Sequence, residues 1–368
     1  MSRPARLVAS LEAPSPVTGF GSAPCLMSGP GARYLVQCDD TELIVRELAG
    51  WAPGPTIRFP APWPPGFGSW AVSPGADLAV FAGRHALRAV DPSGRTRWEL
   101  RHPCWAGCAG HTDASEYVDD RDHRYSGSGS VAFATDGKLV WAHVPGPSVD
   151  EDADGEADGD DGPEEWLVLD AADGTVLARA ATGTVAAGSV HVPHPDPGRM
   201  GLSVGEGQDG SPLLWGRWDG RRLTVDTFGG EDRVLLAVSP TGDRLLTVTH
   251  DQDTLAVHRA ADGQVTAALD AETVPPHPAA EEDAEADEIR AYFDYEGGFV
   301  DEETIVVGTT ESDEEYGAGR HWLVAPASPR PLDPITYPVE VSGPPRALGD
   351  GTWYTVSAAD SALHVWAL

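Results

Sequence analysis

Residues 235–269, LLAVSPTGDRLLTVTHDQDTLAVHRAADGQVTAAL, carry the pattern that decides the fold. Four short segments rich in aliphatic and β-branched residues alternate with breaks at Pro240–Asp243, His250–Asp253 and Ala260–Gly263. Proline presets φ, and glycine or aspartate accepts a positive φ, so each break is typical of a turn or short loop. The stretch therefore predicts four strands in an up-and-down antiparallel sheet.

Similar groups of strands recur along the chain with a period of roughly 40 residues. In chain order, the seven predicted repeats span 24–59, 70–100, 130–180, 190–228, 235–269, 299–332 and 345–368. A four-stranded sheet of this length is one blade of a β-propeller, and a ring of such blades is one closed body. The sequence thus predicts an all-β, seven-bladed β-propeller with four-stranded antiparallel blades in a single domain, 1–368.

The seventh repeat has only three predicted strands, whereas residues 5–12 alternate like a strand and belong to no repeat. Placed beside Leu363–Leu368, the N-terminal segment would supply the missing fourth strand. Propellers remove exposed sheet edges through closure of this kind. We therefore predict that an N-terminal strand completes the last blade.

Glycine or serine stands just before or within six of the predicted innermost strands. These pairs are Gly21-Ser22, Gly68-Ser69, Gly129-Ser130, Gly188-Ser189, Gly297-Gly298 and Ser342-Gly343. Innermost strands crowd around one axis, and small side chains let their backbones approach. The alternative, that these are ordinary loop residues of a chain with 42 glycines, stays open.

The pattern resembles the WD-repeat-like seven-bladed propellers, and the best-matching pieces are Ser73–Asp77, Ser239–Asp243 and Leu363–Leu368. The family's Gly-His pair is not in register in any blade, and Ala367 stands where an aspartate should follow Trp366. The resemblance implies a platform that binds other proteins and is rarely an enzyme. The departures imply that the family's buried Asp-His-Ser-Trp network is missing and that the blades depend on apolar packing.

Charge excludes several classes of partner. The chain has 25 basic and 58 acidic residues, a formal net charge of −33 at pH 7. Such a surface repels nucleic acid and anionic membranes, and it favours cationic partners. We therefore expect a protein partner with a basic segment, and neither nucleic acid nor membrane.

Composition also indicates a compartment. The chain has no apolar run of about 18 residues and no signal-peptide pattern. Four cysteines are too few for a disulfide framework in 368 residues, which favours a reducing compartment. Lys138 is the only lysine, a bias typical of a GC-rich bacterial gene. We expect a cytoplasmic, monomeric, bacterial protein.

All the long predicted loops should open on one side of the propeller. They are 101–127, 145–165, 206–212, 271–292 and 311–320, and they contain 28 of the 58 acidic residues. Long loops in a compact domain are usually functional or disordered. We expect the acidic loops 145–165 and 271–292 to be disordered, since blocks of like charge repel.

Two of these loops contain possible metal ligands. Asp150, Asp152 and Asp154 match the first positions of a calcium loop, but the required glutamate at its end is replaced by Asp161. Cys104, Cys108 and His111 could supply three zinc ligands, without an evident fourth. A Cys104–Cys108 disulfide is the other possibility, disfavoured in the cytoplasm. We predict a solvated acidic loop, an ordered interaction loop, and no metal or cofactor.

Aromatic, histidine and acidic side chains of the long loops, with one histidine of an innermost strand, form the predicted binding site. These residues are Trp105, His111, Asp113, Glu116, Tyr117, Tyr125, His191, Glu206, Asp209 and Tyr316. The leading hypothesis is a non-catalytic protein-interaction scaffold whose acidic, loop-rich face binds a basic segment through aromatic anchors. The alternative is an enzyme or metal-dependent small-ligand site at the mouth of the channel. It would be built from His111, Asp113, His191, Glu206 and Asp209. No nucleophile elbow, phosphate loop or dinucleotide fingerprint supports a particular chemistry.

Overall fold

Most of the chain is described by a computed structural model, which covers residues 2–16, 22–29, 31–105, 111–119, 129–147, 163–228, 232–275, 277, 290–311, 320–357 and 362–368. Several residues considered above lie outside these ranges. They are Cys108, Tyr125, Tyr316, the run 149–162 and most of 271–292.

The described residues form 29 strands, with only short 3-10 turns beside them. The strands make six four-stranded sheets and one five-stranded sheet. The fold is the predicted one, an all-β seven-bladed propeller of four-stranded antiparallel blades. No helix in the described part of the chain has the length and apolar character needed to cross a membrane.

Residues 14–228 form one compact unit, and residues 1–13 with 229–368 form another. The first unit contains four blades, each an antiparallel meander with strands in sequence order across the sheet. Its strands are β3 (Cys25–Gly29), β4 (Ala32–Cys38), β5 (Glu42–Ala49), β6 (Ala52–Pro60), β7 (Gly68–Val72), β8 (Ala79–Gly83), β9 (Ala86–Val90), β10 (Thr96–Arg101), β11 (Ser130–Phe133), β12 (Leu139–Pro145), β13 (Glu164–Asp170), β14 (Val176–Ala181), β15 (Gly188–Pro193), β16 (Arg199–Gly205), β17 (Leu213–Trp218) and β18 (Leu223–Thr227).

The first strands of successive blades, β7, β11 and β15, lie side by side in this unit, as innermost strands should. Apolar clusters lie between neighbouring blades. One cluster packs Leu87 and Trp98 of the second blade against Val140 and Leu169 of the third. Nearly continuous apolar residues thus allow both faces of a blade's middle strands to be buried, whereas polar residues beside an occasional buried one leave its last strand half exposed.

The other unit contains the remaining three blades. Its strands are β1 (Arg3–Pro4), β2 (Arg6–Glu12), β19 (Arg233–Val238), β20 (Arg244–Thr249), β21 (Thr254–Arg259), β22 (Val265–Asp270), β23 (Ala291–Phe299), β24 (Ile305–Glu311), β25 (Arg320–Ala325), β26 (Ser328–Thr336), β27 (Ser342–Ala347), β28 (Thr352–Val356) and β29 (Ala362–Ala367). The first of these blades, β19 to β22, contains the stretch 235–269 that shows the repeat most clearly.

The N-terminal segment completes the last blade, as predicted. Strand β2 pairs antiparallel with β29, so that the sheet order is β2-β29-β28-β27. Leu11 of β2 is buried, whereas Leu7 is 40% exposed. The two-residue β1 adds a parallel fifth strand to β26, through Arg3 and Pro4. A strand of two residues is too short to show a periodic pattern, so β1 could not be predicted.

The sixth blade begins earlier than predicted. Its first strand, β23, starts at Ala291, although the sequence indicated a start at Phe299 and a loop over 271–292. A short 3-10 turn at Ala271–Thr273 also occupies the beginning of that expected loop. The reason for the wrong boundary is a bulge between Phe293 and Gly297 that breaks the alternation by which a strand is recognised.

Close approach of the innermost strands explains one of the predicted glycine positions. Strands β19, β23 and β27 are neighbours. A Cβ at Gly298 would lie 3.0 Å from the Cβ of Ala347 and 3.4 Å from that of Ala237. All three residues are small because three backbones converge at this point.

Buried polar pairs join the second and third strands of several blades, in addition to apolar packing. The indole Nε1 of Trp322 donates to Thr309 Oγ1 at 2.8 Å, and that of Trp366 donates to Thr355 Oγ1 at 3.0 Å. In the blade of β19 to β22, Thr247 Oγ1 lies 2.8 Å from His258 Nε2. The blades therefore do not depend on apolar packing as expected, or not on it alone. In each of these blades, a threonine hydroxyl of the second strand is hydrogen-bonded to a tryptophan or histidine ring of the third.

Candidate interaction site

The loop after β10 is attached to its blades by two buried aromatic residues. Trp105 is 5% exposed, and its ring meets that of His143 edge-on at 5.5 Å. Tyr117 is fully buried, and its hydroxyl lies 3.1 Å from His85 Nδ1. Burial raises the pKa of Tyr117. Both rings therefore hold the loop in place and are not presented to solvent.

The polar residues of this loop stabilise its local turns. Asp113 accepts a hydrogen bond from the Ser115 amide at 2.9 Å and caps a short 3-10 turn, and its bonds to Ser115 lower the pKa of the carboxyl group. Glu116 accepts from Thr112 Oγ1 at 2.7 Å, which lowers the pKa of Glu116. His111 contacts the thiol of Cys104. The predicted residues His111, Asp113 and Glu116 thus belong to one ordered loop.

His191 has a structural role on the innermost strand β15. Its Nε2 accepts a hydrogen bond from Trp166 Nε1 at 2.9 Å, so the ring proton is assigned to Nδ1. Nδ1 then donates to Ser130 Oγ at 2.8 Å, and the serine hydroxyl lies 2.8 Å from Ser189 Oγ. Burial lowers the pKa of His191 to about 3, which keeps the ring neutral. With Nδ1 protonated, His191 cannot take a proton from Ser130, so this pair is not an activated nucleophile.

Glu206 and Asp209 lie at a turn after β16. Glu206 Oε1 accepts from the Val185 amide at 2.8 Å, whereas Asp209 is exposed. Their partners differ from those of His111, Asp113 and His191. Within the described ranges, no three His, Cys, Asp or Glu side chains are grouped so that they could hold a metal ion. Each of the five residues of the alternative small-ligand site thus either makes its own local contacts or is exposed to solvent.

The structure contains an exposed aromatic residue that the sequence reasoning missed. Tyr295 lies on the innermost strand β23 and is 44% exposed, and its hydroxyl donates to the His250 carbonyl. Burial of its inner part and the nearby Asp251 carboxylate raise the pKa of Tyr295. The side chain of Asp251 is 90% exposed. A tyrosine and a carboxylate are therefore presented to solvent together.

A wide bulge positions Tyr295. Pairing of β23 with β24 runs from Phe293 opposite Thr309 to Gly297 opposite Val307, so that Asp294, Tyr295 and Glu296 stand opposite the single residue Gly308. A Cβ at Gly308 would lie 1.9 Å from Asp294 Oδ2, so the glycine provides the space into which the carboxylate folds. Bulges re-aim side chains and are frequent beside functional sites.

The carboxylates around the bulge are unequally neutralised. Glu296 forms a bidentate ion pair with Arg346. Asp294 accepts from Thr310 Oγ1 at 2.9 Å, but burial and the nearby Glu296 and Glu311 raise the pKa of Asp294 to about 6. We name the group Asp251, Asp294, Tyr295 and Glu296 the bulge site. In the sequence, Asp294, Tyr295 and Glu296 fall between the predicted loop 271–292 and the predicted repeat 299–332, so neither pattern includes them.

No protein-family model matches the chain, and no curated protein matches it. Among solved structures, a chain of a mitotic checkpoint complex matches with a TM-score of 0.56 and 11% identity, over 98% of this chain and 91% of that one. The β-propeller domain of Myceliophteria thermophila Cps50 (Swd1) matches with a TM-score of 0.53 and 10% identity, over 99% and 100%. The Neurospora crassa Pan2 WD40 domain matches with a TM-score of 0.53 and 12% identity, over 98% and 94%. At such identities the likeness shows that the chain shares the fold of WD40 seven-bladed propellers.

Proposed function

We propose that this protein is a non-catalytic propeller that binds a basic segment of another protein through its acidic, loop-rich rim. The observation that carries the proposal is the bulge site, where an exposed tyrosine lies next to exposed and partly buried carboxylates. Tyrosine, with only two rotatable side-chain bonds and one polar atom, is enriched among the residues that dominate binding energies.

A cationic side chain fits the chemistry of this site. A guanidinium or ammonium group over the Tyr295 ring would gain a cation–π contact, worth about 0.5–1 kcal/mol at an exposed position. The same group would be within reach of Asp251, whose one ion pair among the described residues is with the neighbouring His250, at 3.9 Å. Arg346 already compensates Glu296, so Asp251 and Asp294 are the carboxylates that would respond most to a ligand.

The charge of the chain supports the same class of partner. The net charge of −33 attracts cationic segments over distances of about a Debye length, roughly 8 Å at physiological salt. The long predicted loops concentrate 28 of the 58 acidic residues, and they include Tyr125 and Tyr316 as further candidate anchors. The solved propellers similar to this chain include a chain of a mitotic checkpoint complex, which is a protein assembly.

The proposal is tested by fluorescence anisotropy with two labelled short peptides of equal length, one rich in arginine and lysine and the other rich in glutamate. We expect only the basic peptide to bind, and Tyr295→Ala and Asp251→Asn to weaken it several-fold. Leu177→Ala is the matched control, because Leu177 is 38% exposed on the outer strand β14.

Equal losses in Tyr295→Ala and Leu177→Ala would contradict the assignment of the bulge site. Equal binding of the acidic peptide would contradict the class of partner. Affinity capture with the unmodified chain and with Tyr295→Ala, followed by mass spectrometry, would then identify a partner that depends on Tyr295.

A further inference from the structure

Asp294 differs from the other carboxylates of the bulge site in its partners. Its Oδ1 accepts a hydrogen bond from Thr310 Oγ1 at 2.9 Å, and within the described ranges no cationic side chain is paired with it. The side chain is only partly buried, so a group that arrives from solvent can reach the carboxylate. Asp294 is therefore an accessible negative charge with a single neutral donor.

The two carboxylates next to Asp294 each have an arginine partner. Glu296, on the same strand, forms its bidentate ion pair with Arg346 of β27. Glu311, at the end of β24, is paired with Arg320 of β25. Three carboxylates thus share two guanidinium groups, and the negative charge that remains belongs to Asp294.

The bulge holds Asp294 in this position. Its Oδ2 occupies the space that a Cβ at Gly308 would fill, at 1.9 Å, so the carboxylate lies against the backbone of β24. Partial removal from water and two like charges favour the neutral acid, whereas one hydroxyl donor favours the charged form. The first two effects are the larger, and they raise the pKa of Asp294 to about 6.

The other elements packed against β23 also carry charged or titratable groups. These are Arg233 of β19, His250 and Asp251 after β20, and Glu272 of the short turn after β22. Within the described residues, none of the four is bonded to Asp294. Histidine is a residue type that changes charge between pH 5 and 8, so the experiment has to separate His250 from Asp294.

We propose that the bulge site binds its basic segment in exchange for a proton, with a cationic side chain of the segment paired to the Asp294 carboxylate. The inference rests on the proposed function and concerns the regulation of the same site. Asp294 directly precedes Tyr295, so a segment that contacts the tyrosine brings its cationic groups to the same bulge. The cation favours the charged carboxylate over the neutral acid, so the proton of the acid leaves for solvent on binding. Acidification therefore weakens the complex.

The first experiment measures binding of a labelled arginine-rich peptide without histidine, by fluorescence anisotropy at pH 7.5 and pH 5 and at constant ionic strength. An opposite charge at contact lowers a carboxyl pKa by about 1–3. With the smallest of these changes, the affinity of the unmodified chain should be about fivefold lower at pH 5 than at pH 7.5. Asp294→Asn should bind more weakly at pH 7.5 and should lose most of the pH dependence.

Two variants serve as controls for the pH dependence. His250→Gln removes the nearby imidazole and should keep the ratio of affinities of the unmodified chain. Asp251→Asn, the same change at an exposed carboxylate, should weaken binding by the same factor at both pH values.

The second experiment counts the proton by titration calorimetry at pH 6, in two buffers that differ in their enthalpy of ionisation. The free acid is half protonated at this pH and the bound one is mostly charged, so about 0.4 proton should be released per bound peptide. Asp294→Asn should release almost none.

The two proposals fail in different ways. Absence of binding at both pH values would overturn the proposed function and this inference with it. Equal affinity at both pH values would overturn this inference alone, as would a pH dependence that is lost in His250→Gln and kept in Asp294→Asn. If Asp294→Asn does not fold, the proton release of the unmodified chain and of His250→Gln decides the question, and no release from either chain would overturn the inference.

Discussion

At the scale of single residues, Asp294 lies in a site that favours its neutral form. Burial, Glu296 and Glu311 raise its pKa to about 6, above the value of about 3.9 in an unfolded chain. The folded state therefore binds a proton more tightly, and this residue's contribution to stability is present below about pH 4 and is lost as the pH rises through about 6.

Asp294→Asn should consequently stabilise the chain at pH 7.5 by about 1–2 kcal/mol and have little effect at pH 3.5, because asparagine resembles the neutral acid. Asparagine can still accept the bond from Thr310. Urea unfolding at the two pH values measures the difference. Asp251→Asn, the same change at an exposed site, should alter stability by less than about 0.5 kcal/mol. A loss of stability in Asp294→Asn at pH 7.5 would show that the carboxylate is needed in its charged form.

The pKa of Glu164 is shifted in the opposite direction, below its ordinary value. Burial alone would raise its pKa, but His143 Nε2 at 3.1 Å, the Ala186 amide at 2.6 Å and Thr184 Oγ1 at 2.5 Å bond to its carboxylate and lower its pKa. Its contribution to stability is present above the unfolded pKa of about 4.3 and is lost as the pH falls through the lower folded value.

Glu164→Gln should therefore destabilise the chain by about 2–3 kcal/mol at pH 7, and by less at pH 3, since an amide cannot accept all three bonds. The next residue offers a control. Glu165→Gln removes an ion pair with Arg179, whose side chain is 56% exposed, and should cost at most about 1 kcal/mol. Equal effects of the two variants in urea unfolding would mean that the hydrogen-bonded position of Glu164 contributes nothing.

What the sequence could tell about single residues was limited by contacts that are distant along the chain. Trp105 and Tyr117 stood out as aromatic residues in a polar loop, but their burial depends on His143 and His85. The tautomer of His191 is determined by the hydrogen bond from Trp166, 25 positions away. Only the fold brings such pairs together, so residue type and spacing alone could not distinguish a structural histidine from a base.

At the scale of secondary structure, the N-terminal segment offers the clearest test. Deleting residues 1–13 removes β1 and β2 and exposes the edge of β29. An unpaired edge strand is a template for aggregation, so we expect sharp destabilisation and loss of solubility. Unchanged thermal unfolding of the deleted chain would reject the role of this segment in the last blade.

A pair of substitutions in β2 tests the contribution of side-chain packing without deleting any residue. Leu11 is 3% exposed and Leu7 is 40% exposed on the same strand. Leu11→Ala should lower stability by about 2–4 kcal/mol, and Leu7→Ala by less than about 1 kcal/mol. Thermal and urea unfolding of the two variants measure the difference. Similar small losses in both would place the stabilising effect of β2 in its backbone pairing.

Strands were predictable where apolar residues lay between strong turn signals. Strand β9 (Ala86–Val90), inside the predicted repeat 70–100, was predictable because Gly83 and the turn at Asp91–Gly94 enclose it. The start of β23 was not, because the bulge places Asp294 and Glu296 inside the strand. A pattern of period two identifies regular pairing, so a bulge is the feature that it misses.

At the scale of the whole molecule, charge and anchors should act on different rate constants. The run Asp150–Asp161 holds eight carboxylates, and exposed like charges act over about 8 Å at physiological salt. They can draw in a cationic segment, but they cannot choose among cationic segments. Discrimination requires an anchor that loses water on binding, and the half-exposed Tyr295 is the residue that we propose for this role.

Replacing the acidic residues of 150–161 by asparagine and glutamine, at constant loop length, should therefore slow association several-fold and flatten its dependence on salt. Dissociation should change little. Tyr295→Ala should instead speed dissociation several-fold, the effect of losing the roughly 0.5–1 kcal/mol of a cation–π contact at an exposed ring. Surface-binding kinetics of the basic peptide at two salt concentrations measure both constants. The opposite assignment, with dissociation controlled by the acidic run and association by Tyr295, would mean that the carboxylates are desolvated in the complex and that the tyrosine lies outside it.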